Sequence, residues 1–254
     1  MRESKIFIVM AVLFTALPVY GSLTDGLVAH WTFDDEVQGN TVHDFAGTNN
    51  GTRYGDATWV SGVQGSGMRF SGTGYVNVPS SSSLNITGDE ITISAWFKPS
   101  TNDAGINSNS QMVAKWLGTN NAYTLGYCDS SNYIWLAINA NNNVRAFSSV
   151  PVDNVNQWYH IVGVYNGSEQ IVYVNNAAGT SAANTGNIHL STQPVRISGY
   201  PNGFSKLQGT VDDIRIYNRA LSSEEVAQLY ATPEPATVFL LGAGGLFLIR
   251  KRKN

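Results

Sequence analysis

Between Leu23 and Tyr230 the chain is a succession of short runs in which apolar and polar side chains alternate, cut by clusters of Gly, Asn, Ser and Asp. Successive side chains of a strand point to opposite faces, so a period of two marks half-buried β-structure. Leu27–Phe33, Ile91–Lys98, Tyr133–Ala140, Trp158–Tyr165, Gln170–Val174 and Val211–Tyr217 are predicted strands, rich in Val, Ile, Tyr, Phe and Trp. Tyr75–Val78, Met112–Trp116, Tyr123–Tyr127, Val144–Phe147 and Val195–Ile197 are shorter candidates. Asn166-Gly167, between Tyr165 and Gln170, tolerates the positive φ of a tight turn and predicts an antiparallel hairpin. No helices interleave with these strands, which excludes a parallel α/β sheet and leaves an all-β antiparallel sandwich or barrel. One helix is predicted near the end. Ser222-Ser223-Glu224-Glu225 spells a capping box, and Val226, Leu229 and Tyr230 then share one face that should dock on the sandwich.

The two ends read differently from this body. Residues 1–21 carry Arg2 and Lys5, the apolar run Ile6–Leu17 and small residues before Gly21, the order of a cleaved export signal. Twelve apolar residues are too few to span about 30 Å of hydrocarbon. Residues 231–254 run from Pro233-Glu234-Pro235 through the apolar stretch Val238–Ile249 to Arg250-Lys251-Arg252-Lys253. A basic cluster beyond an apolar stretch resists translocation, and a stretch this short and Gly-rich suits transient membrane insertion. These three parts in order resemble the PEP-CTERM sorting tail of Gram-negative bacteria. The resemblance implies an exosortase-type sorting enzyme as partner and delivery to the cell surface or extracellular matrix; an ordinary anchor would also leave the body outside the cytoplasm.

Charge narrows the partners. The chain has 15 Lys+Arg and 18 Asp+Glu; setting aside six basic and two acidic residues at the ends leaves 9 against 16, a net of −7 on residues 22–230. An acidic body without a basic cluster argues against nucleic acid and leaves room for divalent cations. Cys128 is the only cysteine, so no internal disulfide forms and folding must rest on the core.

The body resembles the laminin-G-like, concanavalin-like jelly-roll family of bacterial surface proteins. Gly26–Asp34, Asp44–Gly51, Met68–Phe70 with Tyr75–Pro79, Ile91–Pro99, Trp158–Val162 and Gly209–Ser222 carry the likeness in order. It implies a two-sheet antiparallel jelly-roll sandwich over residues 22–230, and says little about the ligand, because such folds host lectins, adhesins and enzymes alike.

Two sets of residues are candidates for function. Asp34 ends the first strand and Asp44 opens a Gly/Asn loop, while Asp212 shares parity with Ile214 and Ile216 and is expected on the core side. In the family the first and last strands are neighbours, so Asp34, Asp44 and Asp212, with Asn50 and Asp213 as weaker additions, are expected to converge on one structural calcium. The alternatives are a surface Asp34, an Asx-turn Asp44 and an Asp212 satisfied by amides. In the other set, Ile134, Leu136 and Ile138 face one way, which turns Tyr133, Trp135 and Asn139 to the opposite, outer face. Aromatic rings there can stack on sugars, with Lys115, Tyr123 and Arg145 from neighbouring strands, giving a site for polysaccharide or a surface glycoconjugate. The alternative is burial beneath the long loop Thr101–Ser110. No strand carries two acids on one face as a glycosidase pair would need, no nucleophile is paired with His30 or His160, and no zinc or phosphate motif is present. The sequence reads as a non-catalytic carbohydrate-binding or adhesion module; the alternatives are a structural matrix component or a polysaccharide hydrolase or lyase.

Overall fold

The computed structural model describes residues 21–34, 39–100, 109–128, 131–140, 143–200 and 202–231. The export signal (1–20) and the sorting tail with Pro233, Glu234, Pro235 and 238–249 lie outside the described residues. In chain order the strands are β1 (Leu27–Trp31), β2 (Thr41–Val42), β3 (Gly51–Tyr54), β4 (Thr58–Ser61), β5 (Ser66–Ser71), β6 (Tyr75–Val78), β7 (Ile91–Pro99), β8 (Ser110–Leu117) and β9 (Asn120–Cys128). They continue as β10 (Tyr133–Asn139), β11 (Asn143–Phe147), β12 (Tyr159–Tyr165), β13 (Glu169–Val174), β14 (Ala177–Ala178), β15 (Ala182–Ala183), β16 (Val195–Ile197) and β17 (Gln208–Tyr217), before helix α1 (Ser223–Ala231).

All pairings are antiparallel. The first sheet runs β14-β13-β12-β7-β17-β5-β4, with β1 also on β17 and β15 on β13; the second runs β11-β10-β9-β8-β16-β6-β3-β2. Their inner faces enclose one core, to which alternate residues contribute: Ile93, Ala95 and Phe97 from β7, Leu125 and Tyr127 from β9, Ile134, Leu136 and Ile138 from β10. This is the predicted two-sheet sandwich. The Asn166-Gly167 hairpin joins β12 to β13, with Tyr165 opposite Gln170 and Gly167 at φ 81°.

On the outer face of the first sheet Val162, Val164 and Tyr217 form a second apolar cluster with Leu221, Val226 and Leu229 of the C-terminal segment. The capping box closes as predicted: Glu225 N donates to Ser222 Oγ (3.3 Å) and Ser222 N to Glu225 Oε2 (2.9 Å). Arg219 grips the same carboxylate with both terminal nitrogens at 2.8 Å, fixing the helix start to the sheet. Tyr230 remains partly exposed, its ring 6.0 Å from Trp96 and 5.9 Å from His160.

One strand departs from simple alternation. Between Asp212 and Arg215 the β17–β7 register shifts by a residue, and Asp213 takes φ 48°. The bulge reverses parity. Val211, opposite Phe97, joins Ile214 and Ile216 in the core, so Asp212, opposite Trp96, faces outward. The expectation that Asp212 lies on the core side is therefore corrected.

Candidate functional site

An unbroken cross-strand row on the outer face of the second sheet reads Thr52, Asn77, Arg196, Ala114, Thr124, Ala137, Arg145. Small side chains stand in the middle and arginines flank them. Four strand spacings, about 19 Å, separate the two arginines' strands. In the neighbouring row Trp135 lies between Gly126 and Phe147. A Cβ at Gly126 would meet the Trp135 indole at 2.5 Å, so glycine is what lets the ring lie flat on β9. The Arg145 guanidinium sits 4.2 Å over that ring, a cation–π contact that also orients its donors. Trp116, Thr124, Trp135, Ala137, Arg145 and Tyr200 line a cavity of about 290 Å³.

Tyr200 arrives from the loop after β16, which is pinned to β8 by Ser198 N donating to Met112 O and closed by Tyr200 N donating to Phe204 O. Burial raises the Tyr200 phenol above its usual range, against a weaker opposing pull from Arg145, so it stays a neutral donor at ordinary pH. Trp135 Nε1 is buried without a hydrogen-bond partner among the described residues, a state that costs about 1–3 kcal/mol. Phe147, paired with Trp135 across β10 and β11, and Phe204, whose carbonyl accepts from Tyr200 N, are 45% and 68% exposed. Farther along the same face Tyr54 stacks on Tyr75 at 5.0 Å, with Arg196 at 4.0 Å and Lys206 at 5.3 Å from the Tyr75 ring.

Of the residues expected at a sugar-binding face, the structure brings Trp135 and Arg145 together. Tyr133 shares their face but not the cavity, and Asn139 donates to Asn121 O at 3.0 Å. Lys115 and Tyr123 are corrected. They pair across β8 and β9 one residue out of step with Ala114 and Thr124, so both turn inward. The Tyr123 hydroxyl donates to Leu84 O (3.1 Å), while Lys115 Nζ donates to Ser80 Oγ (3.0 Å) and Gln193 O (2.5 Å), its pKa pushed down to about 8 by burial. Trp116 and Thr124 were within reach of the alternation; Tyr200 sits in a loop, where no periodicity marks it. Residues 101–108 of the expected covering loop lie outside the described residues, but Asn109 Oδ1 accepts from Arg145 at 3.2 Å.

The acids expected around a calcium do not gather as expected. Among the described residues no three His, Cys, Asp or Glu side chains form a metal-holding group. Asp44 accepts from the backbone N–H of His30, Ala46 and Asn49 and from Asn49 Nδ2, at 2.9–3.1 Å, and Asn50 Oδ1 accepts from Asp44 N. That saturated carboxylate is the organiser of its own loop and does not fit a calcium shell. Asp34 and Asp212 both reach the β4–β5 turn: Asp34 accepts from Ser66 N (2.8 Å), while Asp212 accepts from Val63 N (2.8 Å) and Gln64 N (3.2 Å) there and from Asp213 N (2.7 Å). Burial raises the Asp212 carboxyl to about 7 despite these amides. Asp213 is taken by His30 (2.5 Å) and Arg215 (3.1 Å). His160 is buried with Nε2 3.0 Å from Ser94 Oγ, and desolvation drives its pKa down to about 3, which keeps it neutral.

A family model for the concanavalin A-like lectin/glucanases superfamily matches residues 70–227, and one for the PEP-CTERM protein-sorting motif matches 231–253. No curated protein matches the chain. Among solved structures, the binding domain of Paraclostridial Mosquitocidal Protein 1 superposes with TM-score 0.67 at 20% identity, over 82% of this chain and 52% of that one. The binding domain of Botulinum neurotoxin DC, solved with rat synaptotagmin II, gives 0.64 at 15% identity over 83% and 52%. Domain 4 of AbnA, a GH43 extracellular arabinanase from Geobacillus stearothermophilus, solved with arabinotriose, gives 0.59 at 18% over 80% and 98%. The chain thus spans about half the length of the two toxin domains and nearly all of the arabinanase domain. At these identities the likeness is one of fold.

Proposed function

The chain belongs to the concanavalin A-like lectin/glucanases superfamily, and from that premise we propose that it is an exported surface module that binds saccharide, without catalysis, in the aromatic cavity on the outer face of its second sheet. The observation that carries this reading is the cavity itself. Trp116 and Tyr200 offer partly exposed rings to the apolar faces of a sugar above the buried floor of Trp135, and the Arg145 guanidinium and the Tyr200 hydroxyl offer polar groups to its hydroxyls. The binding-domain neighbours support a binding role, and the arabinanase domain solved with arabinotriose makes arabino-oligosaccharides reasonable first probes. The match to a sorting motif supports an exosortase-type enzyme as partner and a destination at the surface or matrix of a Gram-negative cell. His160 is held neutral and Asp213 is taken by His30 and Arg215, which among the described residues argues against an acid–base pair poised on the outer face of the first sheet.

A glycan array on the protein, repeated with Trp116→Ala and Arg145→Ala, tests the proposal. Binding should fall at least tenfold in each variant while the circular dichroism spectrum stays that of the parent. An array on which nothing binds would leave the alternative of a structural matrix component.

Calcium enters the proposal only at the β4–β5 turn, where Asp34 would supply a carboxylate, Asp212 a second one if an ion displaced its proton and an amide partner, and turn carbonyls and water the remaining oxygens of a six- to eight-fold shell. Chelation should then lower the melting temperature, and Asp34→Asn should abolish that sensitivity; a melting temperature indifferent to chelator removes calcium from the account.

A further inference from the structure

We infer that the protein has a second binding surface, for anionic polysaccharide, on the outer face of the first sheet at the opposite end of β17 from the helix-covered cluster. A cross-strand row there reads Thr58, Arg69, Thr210, Lys98. It crosses a groove of about 540 Å³ whose floor is the buried Thr210 and whose sides include Gln208, Ser71 and Asn156. Arg69 is exposed and Lys98 half-buried. Among the described residues neither has a carboxylate within ion-pairing distance, and no acidic side chain lines the groove.

The body carries 16 acidic residues against 9 basic, so a groove lined by two cations and no acid stands out against its mean charge. Other cations of the body are committed elsewhere: Arg215 to Asp213, Arg219 to Glu225, Lys115 to buried oxygens. A pair of uncompensated cations flanking a hydroxyl is a place for negative charge. Strands β5 and β7 lie on either side of β17, about 10 Å apart, within the reach of two long side chains that converge on one carboxylate or sulfate, or that bracket neighbouring ones on a polymer. Arg69 can offer two parallel N–H donors to such a group.

The rest of the groove selects a sugar as the carrier of that charge. The amides and hydroxyls of Gln208, Asn156 and Ser71 suit saccharide hydroxyls. Lys98 Nζ lies 4.8 Å from the ring centre of Trp158, which stands at the end of the row and offers an apolar face. Duplex DNA fits poorly, because its affinity grows with the number of phosphates neutralised, and two cations on a body of net charge −7 neutralise few. The surface does not depend on the aromatic cavity, with which it shares no residue.

Affinity electrophoresis of the full chain through polygalacturonate, dextran sulfate and carboxyl-reduced polygalacturonate tests the inference. The two polyanions should retard the protein in a salt-sensitive way and the neutral polymer should not. Arg69→Ala and Lys98→Ala should each weaken retardation about tenfold. The charge-keeping pair Arg69→Lys with Lys98→Arg should retain most of it, and Trp116→Ala all of it. The inference is overturned if neither polyanion binds, if the alanine variants still bind, or if duplex DNA competes at lower concentration than the polyanions. Loss of polyanion binding in Trp116→Ala would instead return all binding to the aromatic cavity.

Discussion

The two outer faces of the sandwich treat their apolar side chains in opposite ways. On the first sheet Val162, Val164 and Tyr217 are covered by the chain itself, which lays α1 over them through Val226 and Leu229. On the second sheet the apolar side chains are aromatic, and Trp116, Tyr200, Phe147 and Phe204 keep contact with solvent beside arginines. A ring with a polar edge can serve water and ligand in turn. Stability and recognition are thereby separated: the helix-covered face should carry the first, the open face the second.

The largest effect should come from the covered face. Leu229→Ala removes a buried side chain from the smaller cluster, and large-to-small changes at such sites cost about 2–5 kcal/mol. Chemical denaturation should show that loss with the glycan profile unchanged. If binding falls in step with stability, the two faces are not separable.

The alternation that places Ile134, Leu136 and Ile138 inside, the Asn-Gly hairpin and the capping box were all legible in the sequence, because each is a local rule with a local signature. The bulge at Asp212–Asp213 was not: an aspartate at positive φ inside a strand carries no turn residue to announce it. That one residue moved Asp212 from one face to the other. Period two alone does not say which face of β8 the core claims, and Lys115 lies on the inner one, where its long stem buries while its ammonium finds two oxygens. Asp44 was legible as a loop acid, but whether four N–H groups or an ion would satisfy it depends on how the loop closes.

The next effect is one of pH, also on the covered face. His160 has its pKa lowered to about 3, so between the ordinary value of 6.5 and that point the unfolded chain binds the extra proton and stability falls as pH falls. Asp212, raised from 3.8 to about 7, acts in the opposite sense: the folded state binds the proton, and its contribution grows as pH falls toward 3.8. Between pH 6.5 and 4 the two slopes oppose each other, and in chelator the parent should be nearly flat. Asp212→Asn should unmask the histidine, with stability dropping about 1.4 kcal/mol per pH unit on acidification. A flat profile in that variant would mean His160 is protonated as readily folded as unfolded.

The smallest effect should be on the open face, and its smallness is the point. Trp116 is half-exposed at the rim of the cavity, so truncation to alanine uncovers little core and should change stability by less than about 1 kcal/mol. Trp135 is the contrasting case on the same face: it is 1% exposed, lies flat on Gly126 and supports Arg145. Its truncation should cost about 3 kcal/mol or more. Denaturation curves for the two variants therefore divide the aromatic face into a rim that recognises and a floor that also holds the sheet. Equal and large losses would mean the rim ring is structural as well, and the open face would then resemble the covered one, with loop residues around Tyr200 doing for it what α1 does on the other side.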